Sequence, residues 1–326
     1  MIESGVGVPP VVIVNPIPKA LDHYQRAILE SIEASQRIGE FGLPIEGKSG
    51  LKKAGRALQI VAQRLLLRPK RGSSYLVLWP AFGYFDVLTW LTVANHARVF
   101  IVVHDVTPLR HQFGHSRAAH FVFGLVLRAR NLHAMCHTDE AAAELFNLTG
   151  VRAQVVPLPI LTSVATLEAT APVTVRVLGQ FKQSRALEPL QRISAEMRSS
   201  HILLEIIGRG WPQIEGWKVE DRFVPEEEFE SLTGTASCVV IPYSRFYQSD
   251  VAVRCLEALS PVVAPRHPQI EHLFGSDWVG IVDDDDWSGA IQRAVGGDWR
   301  RLLTERRAAV SGKVAAAWHR ALAENL

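Results

Sequence analysis

Three places in this sequence set charged or hydroxyl side chains just after a short, β-rich apolar run, where side chains and backbone amides converge. In VLGQFKQSRALEPL, residues 177 to 190, a strand ends at Gly179 and a helix begins near Arg185. A guanidinium beside helix N-terminal amides suits a diphosphate, because both kinds of N–H aim at the same oxygens, and Lys182 offers a second cation. In VFIVVHDVTP, His104 stands at the carboxyl edge of an apolar strand with Asp105 beside it. An imidazole near neutral pKa, or a carboxylate, accepts a proton from an attacking hydroxyl. Adjacent strand residues point to opposite faces, so one of the two serves unless the turn has already begun; the plainer reading has Asp105 capping that turn and His104 bonding backbone. Ser249 opens a helix, where its hydroxyl either meets phosphate or caps the helix.

Other clusters offer chemistry that their context disfavours. Asp283 to Asp286 has the look of a divalent-metal pair, but the run precedes Trp287-Ser288-Gly289-Ala290-Ile291, where acids favour a helix N-terminus. His111, His115 and His120 are spaced poorly for zinc around Gly114. No metal site is therefore expected. Asn15, in a rigid Asn-Pro-Ile-Pro turn, and Gly83-Tyr84 fall on further strand ends, while Thr138 and Asp139 read as helix caps before AAAELF.

The elements that position these residues alternate along the chain. Val11 to Val14 reads as a buried strand, followed by an amphipathic helix containing His23, Tyr24, Ala27, Ile28, Ser31 and Ile32. Strands follow at Tyr75 to Trp79, Arg98 to Val103 and His133 to His137, with helices from about Asp86 and Asp139. After an aperiodic stretch, LTSVATLEATAPVT, the alternation restarts at Val175 to Gly179, Ile202 to Gly208, Cys238 to Pro242, Val262 to Ala264 and Val279 to Val282. Such alternation gives parallel sheets covered on both faces, with ligands at the carboxyl strand ends. The expectation is an α/β protein with two doubly wound domains, residues 1–165 and 173–303, and a closing helix over 304–326 that packs back on the first.

Residues 173 to 295 resemble, in order, the nucleotide-sugar-binding half of a GT-B glycosyltransferase of the group 1, or family 4, kind. The strand-end Gly179 with Arg185 stands where that family writes G-R-x-x-x-x-K-G, with Gln180 at the first basic position and Ala186 after the second. LLEIIGRG, ending around Gly208, FVPEEEFESLTGTASCVVIPYS, ending around Tyr243, and QSDVAVRCLEALSPVVAPRHPQIEHL then match the family's next strand, base-facing loop and helix–strand unit. The resemblance implies two Rossmann-like domains facing a cleft. It implies a donor diphosphate at Gly179, Lys182, Arg185, Gly208, Tyr243 and Ser249, and acceptor-side loops at Asn15, Gly83 and Tyr84 with His104 or Asp105 as base. Where many retaining members carry two glutamates, this chain has Ser249 and Glu257; aligned instead on Pro261, Arg254 takes the ribose position and Ser249 the phosphate loop. The second register is favoured, and Asp250 then replaces a glycine next to the diphosphate.

Composition narrows the setting. The 326 residues carry 35 Lys and Arg against 33 Asp and Glu, a formal +2, so no whole-chain field favours nucleic acid. Cys136, Cys238 and Cys255 are dispersed in apolar surroundings and read as buried thiols of a reducing compartment. The opening MIESGVGVP lacks the basic start of a secretory signal, and every apolar run is interrupted by charge. The reading is cytoplasmic, with peripheral contact at the inner face of the membrane through residues 48 to 71, which hold eight cations and no acid. On a helical wheel Leu51, Ala54, Leu58, Val61 and Leu65 form the core stripe there, and Lys52, Lys53, Arg56 and Arg64 the solvated or lipid-facing side. The function implied is transfer of a sugar from a nucleotide-diphosphate donor, without a cofactor, to a saccharide or lipid-linked acceptor in surface polysaccharide or glycolipid synthesis. The alternatives are a degenerate homologue that scaffolds an active transferase, or another two-lobed α/β protein such as an epimerase or a ligand-binding protein.

Overall fold

The computed structural model describes residues 11–32, 38–41, 50–69, 72–108, 112–164, 167, 171–182, 185–243 and 248–323. Lys48, Lys70, Arg71, His111 and the opening nine residues lie outside the described residues. The chain divides into two compact units, Met1–Pro159 with Val314–Leu326, and Ile160–Lys313.

In the first unit the order is β1 (Val11–Val14), α1 (Asp22–Ile32), β2 (Ile38–Phe41), α2 (Gly50–Leu66), β3 (Ser74–Val77), a 3₁₀ helix (Gly83–Trp90), α3 (Leu91–Ala94), β4 (Arg98–Val102), α4 (Arg117–Ala129), β5 (Leu132–Cys136), α5 (Asp139–Thr149) and β6 (Gln154–Val155). All pairings are parallel, in the order β2-β1-β3-β4-β5-β6. The central strands read as unbroken apolar runs because both faces are covered: every residue of β4 is buried, from Arg98 to Val102.

The second unit runs β7 (Thr174–Leu178), α6 (Glu188–Glu196), β8 (Leu203–Ile207), β9 (Lys218–Glu220), α7 (Glu226–Gly234), β10 (Cys238–Val240), α8 (Asp250–Glu257), β11 (Val262–Pro265), α9 (Pro268–Phe274), β12 (Ile281–Val282) and α10 (Trp287–Val295). Its strand order, β12-β11-β10-β7-β8-β9, is the doubly wound dinucleotide-binding order. Val175, Val177, Ile206, Trp211, Trp217 and Trp287 fill one side of its core. The last helix, α11 (Arg300–Ala323), begins in this unit, and from Val314 onward its residues belong to the first. There Trp318 is fully buried, its indole N–H donating to the Pro157 carbonyl at 3.2 Å.

The expected alternation of strands and helices is present, with three differences. The short strands β2, β6 and β9 were absent from the sequence reading: IGEF, QV and KVE lack the unbroken apolar run that marked the other strands. The segment after β3 starts as a 3₁₀ helix at Gly83 rather than an α-helix near Asp86. The third is the orientation of α2. Leu58 and Leu65, assigned to the core stripe, are exposed, while Arg64, assigned to the polar face, is among the most buried side chains. The cause is one interaction: Arg64 Nη1 donates to Asp86 Oδ1 and to Thr89 Oγ1, both at 2.7 Å, and the guanidinium lies 4.4 Å over the Trp90 ring. Hydrophobic periodicity has no means of registering a buried arginine whose acid stands 22 residues further on.

Candidate functional site

In the second unit the chain reverses its winding between β7 and β10, and a crevice is expected at the carboxyl ends of those two strands. Gly179 follows β7 with φ +92°, a left-handed conformation that suits glycine. A Cβ at Gly208, after β8, would strike the Gly179 carbonyl, so this pair of glycines permits the two turns to touch. Phe181 N–H donates to Arg209 O at 2.9 Å and locks the same turns together.

Arg185 lies under this loop, only 5% exposed. Its Nη2 donates to Leu178 O at 2.9 Å and to the Tyr243 hydroxyl at 3.1 Å, and it forms an isolated β-bridge with Tyr243 across the switch point. Trp211 and Tyr243 place their rings 5.1 and 5.0 Å from the guanidinium carbon. Nη1 faces the Gly179 carbonyl at 3.4 Å, and among the described residues Nε is buried without a hydrogen-bond partner. Among the described residues no carboxylate pairs with Arg185. A buried guanidinium with neutral partners is costly unless an anion arrives to complete it.

The first turn of α8 stands beside this loop, with Val251 4.0 Å from a Cβ position on Gly179. Ser249 caps that helix, its Oγ accepting from Ala252 N–H at 3.3 Å, and its own N–H donates to Gln269 Oε1 at 2.6 Å. Asp250, the acid of concern beside a diphosphate, turns to Arg254 Nε at 2.9 Å. Arg254 is held between Asp250 and Glu226 and lies over the Phe229 ring. Glu257 is buried, Oε1 accepting from Leu161 N–H at 2.8 Å, while its carbonyl accepts from Arg307. The structure thus gathers Gly179, Arg185, Gly208, Tyr243 and the Ser249 cap, adds Trp211, which the sequence reading lacked, and gives Arg254 and Glu257 partners within the unit. Lys182 is exposed at the loop surface, its carbonyl accepting from Arg185 N–H at 2.9 Å.

In the first unit the switch point lies between β1 and β3. A cavity of ≈ 210 Å³ opens at the ends of β3 and β4, lined by Trp79, Gly83, Tyr84, His104, Asp105 and Phe113 among others. His104 is half-buried, stacked on Trp79 at 5.4 Å between ring centroids, and its Nε2 lies 2.9 Å from Leu78 O. Asp105 is exposed on the same wall, since the turn has begun at His104 and both side chains reach one space. Tyr84 is buried and donates through its hydroxyl to Val106 O at 2.9 Å. Asn15 makes a local turn instead, Oδ1 accepting from Ile17 N–H and Nδ2 donating to Gln25.

Behind His104 sits an unread partner set. His137 is buried, with Nδ1 2.7 Å from Val156 O and Nε2 2.8 Å from the Tyr24 hydroxyl. Burial, then the neighbouring His104, pushes its pKa down to about 3, so this ring stays neutral. Tyr24 meets the His104 ring edge-on at 4.9 Å. No sequence spacing links Tyr24, Trp79, His104 and His137, which arrive from α1 and from three separate strand ends. Thr138 caps α5 through Ala141 N–H, as expected.

Three of the four acids of 283–286 are occupied: Asp283 with Arg266, Asp285 with Arg192, and Asp286 with Arg293 and the α10 cap at Gly289 N–H. Among the described residues no group of three or more His, Cys, Asp or Glu is set to hold a metal ion. All three cysteines are free and buried, and burial pushes the Cys136 and Cys238 thiols up to about 12.

No protein-family model matches the chain, and no curated protein matches it in sequence. Solved structures do match. The α,α-trehalose-phosphate synthase (UDP-forming) from Burkholderia vietnamiensis is similar over 97% of this chain and 99% of its own, with TM-score 0.63 and 10% identity. The corresponding enzyme from Burkholderia xenovorans, solved with glucose-6-phosphate, is similar over 97% and 98%, with TM-score 0.58 and 9% identity. TarM from S. aureus, in a complex that includes UDP, is similar over 80% of this chain and 55% of its own, with TM-score 0.53 and 12% identity. The chain has the two-domain, Rossmann-like fold of GT-B glycosyltransferases.

Proposed function

We propose that this protein is a glycosyltransferase that takes a sugar from a nucleotide-diphosphate donor held at Gly179, Arg185, Gly208, Tyr243 and the first turn of α8. The observation that carries the reading is Arg185: a buried cation that among the described residues has no carboxylate partner and an unpartnered Nε, at the switch point of a doubly wound sheet. As the glycosidic bond to the donor phosphate breaks, charge grows on the leaving diphosphate. The guanidinium and the helix amides, already oriented, stabilise that charge, and no metal ion is required of them. Arg254 neutralises Asp250 and so removes the acid that would oppose the diphosphate.

The acceptor occupies the cavity of the first unit. Its aromatic walls suit the apolar faces of a sugar ring, and His104 or Asp105 takes the proton of the attacking hydroxyl. The acceptor is a saccharide or a lipid-linked saccharide of a surface polysaccharide or glycolipid, and the basic segment 48–71 brings the protein to an anionic membrane. The name "UDP-forming" on the trehalose-phosphate synthases makes UDP-sugars the first donors to assay.

Calorimetry of the purified protein with UDP, GDP, dTDP and their common sugars tests this directly. We expect binding to at least one nucleotide, weakened about tenfold or more by Arg185→Ala, since a charge-assisted contact to phosphate is lost. Absence of binding to every donor would end the proposal. A second reading, a scaffold that keeps the fold without turnover, draws support from Arg254 and Glu257 being bound into their own unit. Under it, Arg185→Ala leaves the partner transferase's rate unchanged.

A further inference from the structure

The rotation of α2 forced by Arg64 turns an apolar row outward. Leu58 is 71% and Leu66 80% exposed, with Ala54, Ala62 and Leu65 on the same side of the helix. The row continues beyond α2. The 3₁₀ helix packs against both α2 and α4, so the three share one layer over the sheet. On α4, Phe121 is 70% exposed, with Leu125 one turn further on, and the 3₁₀ helix adds Leu88. Six large apolar side chains on one layer exceed what a soluble surface commonly leaves open.

Cations prevail in the sequence of this layer. Between Glu46 and Asp86, and again between Asp105 and Asp139, the sequence has no acid, while those stretches carry eight and four Lys or Arg respectively; of these Arg64 is buried against Asp86. Among them Arg68, just after α2, and Arg117, at the start of α4, are exposed. The acids return on α5, whose first turn holds Asp139 and Glu140, and mark the end of the patch. Leucine and phenylalanine bordered by cations complement a bilayer surface with anionic headgroups, where apolar side chains enter the acyl boundary and cations stay at headgroup level. None of the helices of these described residues is long and apolar enough to cross a membrane, so contact is lateral.

We infer that the outer side of the α2, 3₁₀ and α4 layer is an interfacial docking face that seats this protein on an anionic lipid bilayer, with Leu58, Leu66, Phe121 and Leu125 inserted. This deepens the membrane contact proposed above and changes its chemistry: leucine and phenylalanine give the anchorage, and α4, not only residues 48–71, takes part. Phe113 joins the two sites, being 73% exposed, 6.1 Å from Phe85 between ring centroids, and also a wall of the acceptor cavity. A lipid-linked acceptor would then reach the cavity from its rim.

Co-sedimentation of the full chain, without nucleotide, with vesicles of about one-third phosphatidylglycerol in phosphatidylcholine tests the docking independently of any transferase activity. We expect binding to these vesicles and much weaker binding to pure phosphatidylcholine. Leu66→Ser with Phe121→Ser should reduce the partition coefficient about a hundredfold, roughly tenfold for each inserted side chain. Arg68→Gln with Arg117→Gln should reduce it by about tenfold or more and flatten its salt dependence. Both pairs replace exposed groups, so unchanged thermal unfolding confirms that the fold is intact. The inference is overturned by failure to sediment with the anionic vesicles, by equal sedimentation of the Leu66→Ser/Phe121→Ser variant, or by a concentration-dependent dimer that the same variant abolishes, which would assign the face to a second copy.

Discussion

Replacing Asp86 by alanine isolates the interaction that orients α2. Arg64 and Asp86 are 2% and 0% exposed and meet at 2.7 Å, so the pair is shielded from solvent screening. Asp86 Oδ2 also accepts from Trp90 Nε1 at 3.2 Å, and Thr89 Oγ1 shares Arg64 Nη1. Removing the carboxylate leaves a buried guanidinium facing a hydroxyl and a ring, and removes the partner of an indole N–H. Breaking one side of a buried pair costs about 3–5 kcal/mol, and the orphaned indole N–H lies within that figure because the two losses share one carboxylate. The assay is urea unfolding followed by circular dichroism and tryptophan fluorescence, with the transition of the first unit fitted separately if the two units do not unfold together. The decisive control is Arg64→Met with Asp86→Leu, which removes both charges at similar volume. It should recover most of the loss, because no uncompensated charge remains. A cost below about 1 kcal/mol for Asp86→Ala, or a double variant as unstable as the single one, would refute the claim that this ion pair sets the rotation of α2.

Two further outcomes follow from buried groups of the first unit. Burial lowers the His137 pKa from the ordinary histidine value to about 3. A histidine depressed on folding stabilises the fold above its unfolded pKa and loses that contribution as pH falls toward the folded value. Unfolding free energy should therefore drop as pH goes from about 6.5 toward 3, by about 1.4 kcal/mol per pH unit for this proton, and His137→Gln should flatten the slope by its share. His120, His133 and His272 are depressed in the same direction, so the wild-type slope is collective. Trp318→Ala should cost about 3–5 kcal/mol by chemical denaturation, since it empties a fully buried indole site against Pro157 and His137. A cost near zero would show that the end of α11 does not stabilise the first unit.

Much of the framework is local in origin. Short apolar runs ending in glycine, proline or a polar residue, with amphipathic stretches between them, give parallel sheets, and Gly179, His104 and Ser249 fall where strand-end reasoning put them. The caps at Thr138, Ser249 and Asp286 are equally local, because a side-chain oxygen two or three residues before an amide needs no tertiary help. The loop after β7 was legible for the same reason, since Gly179 and Arg185 stand close along the chain.

Contacts across the chain belong to the tertiary structure. The aromatic and imidazole set of Tyr24, Trp79, His104 and His137 is assembled from α1 and three strand ends, and only the tertiary fold decides which of these are neighbours. Trp211 reaches Arg185 across 26 residues, which no spacing rule announces. Arg254 and Glu257 carried functional expectations until folding supplied Glu226, Asp250 and Leu161 as partners. The sharpest case is α2. Its amphipathic pattern was plain in sequence, yet which side faces inward depended on an acid in the next helix: a desolvated charge costs more than a few exposed leucines, so the ion pair prevails over the stripe. Sequence alone determined the α/β architecture and the place of the glycine loop after β7; the tertiary structure decided which charges are spent inside the fold, and which apolar side chains are left facing out.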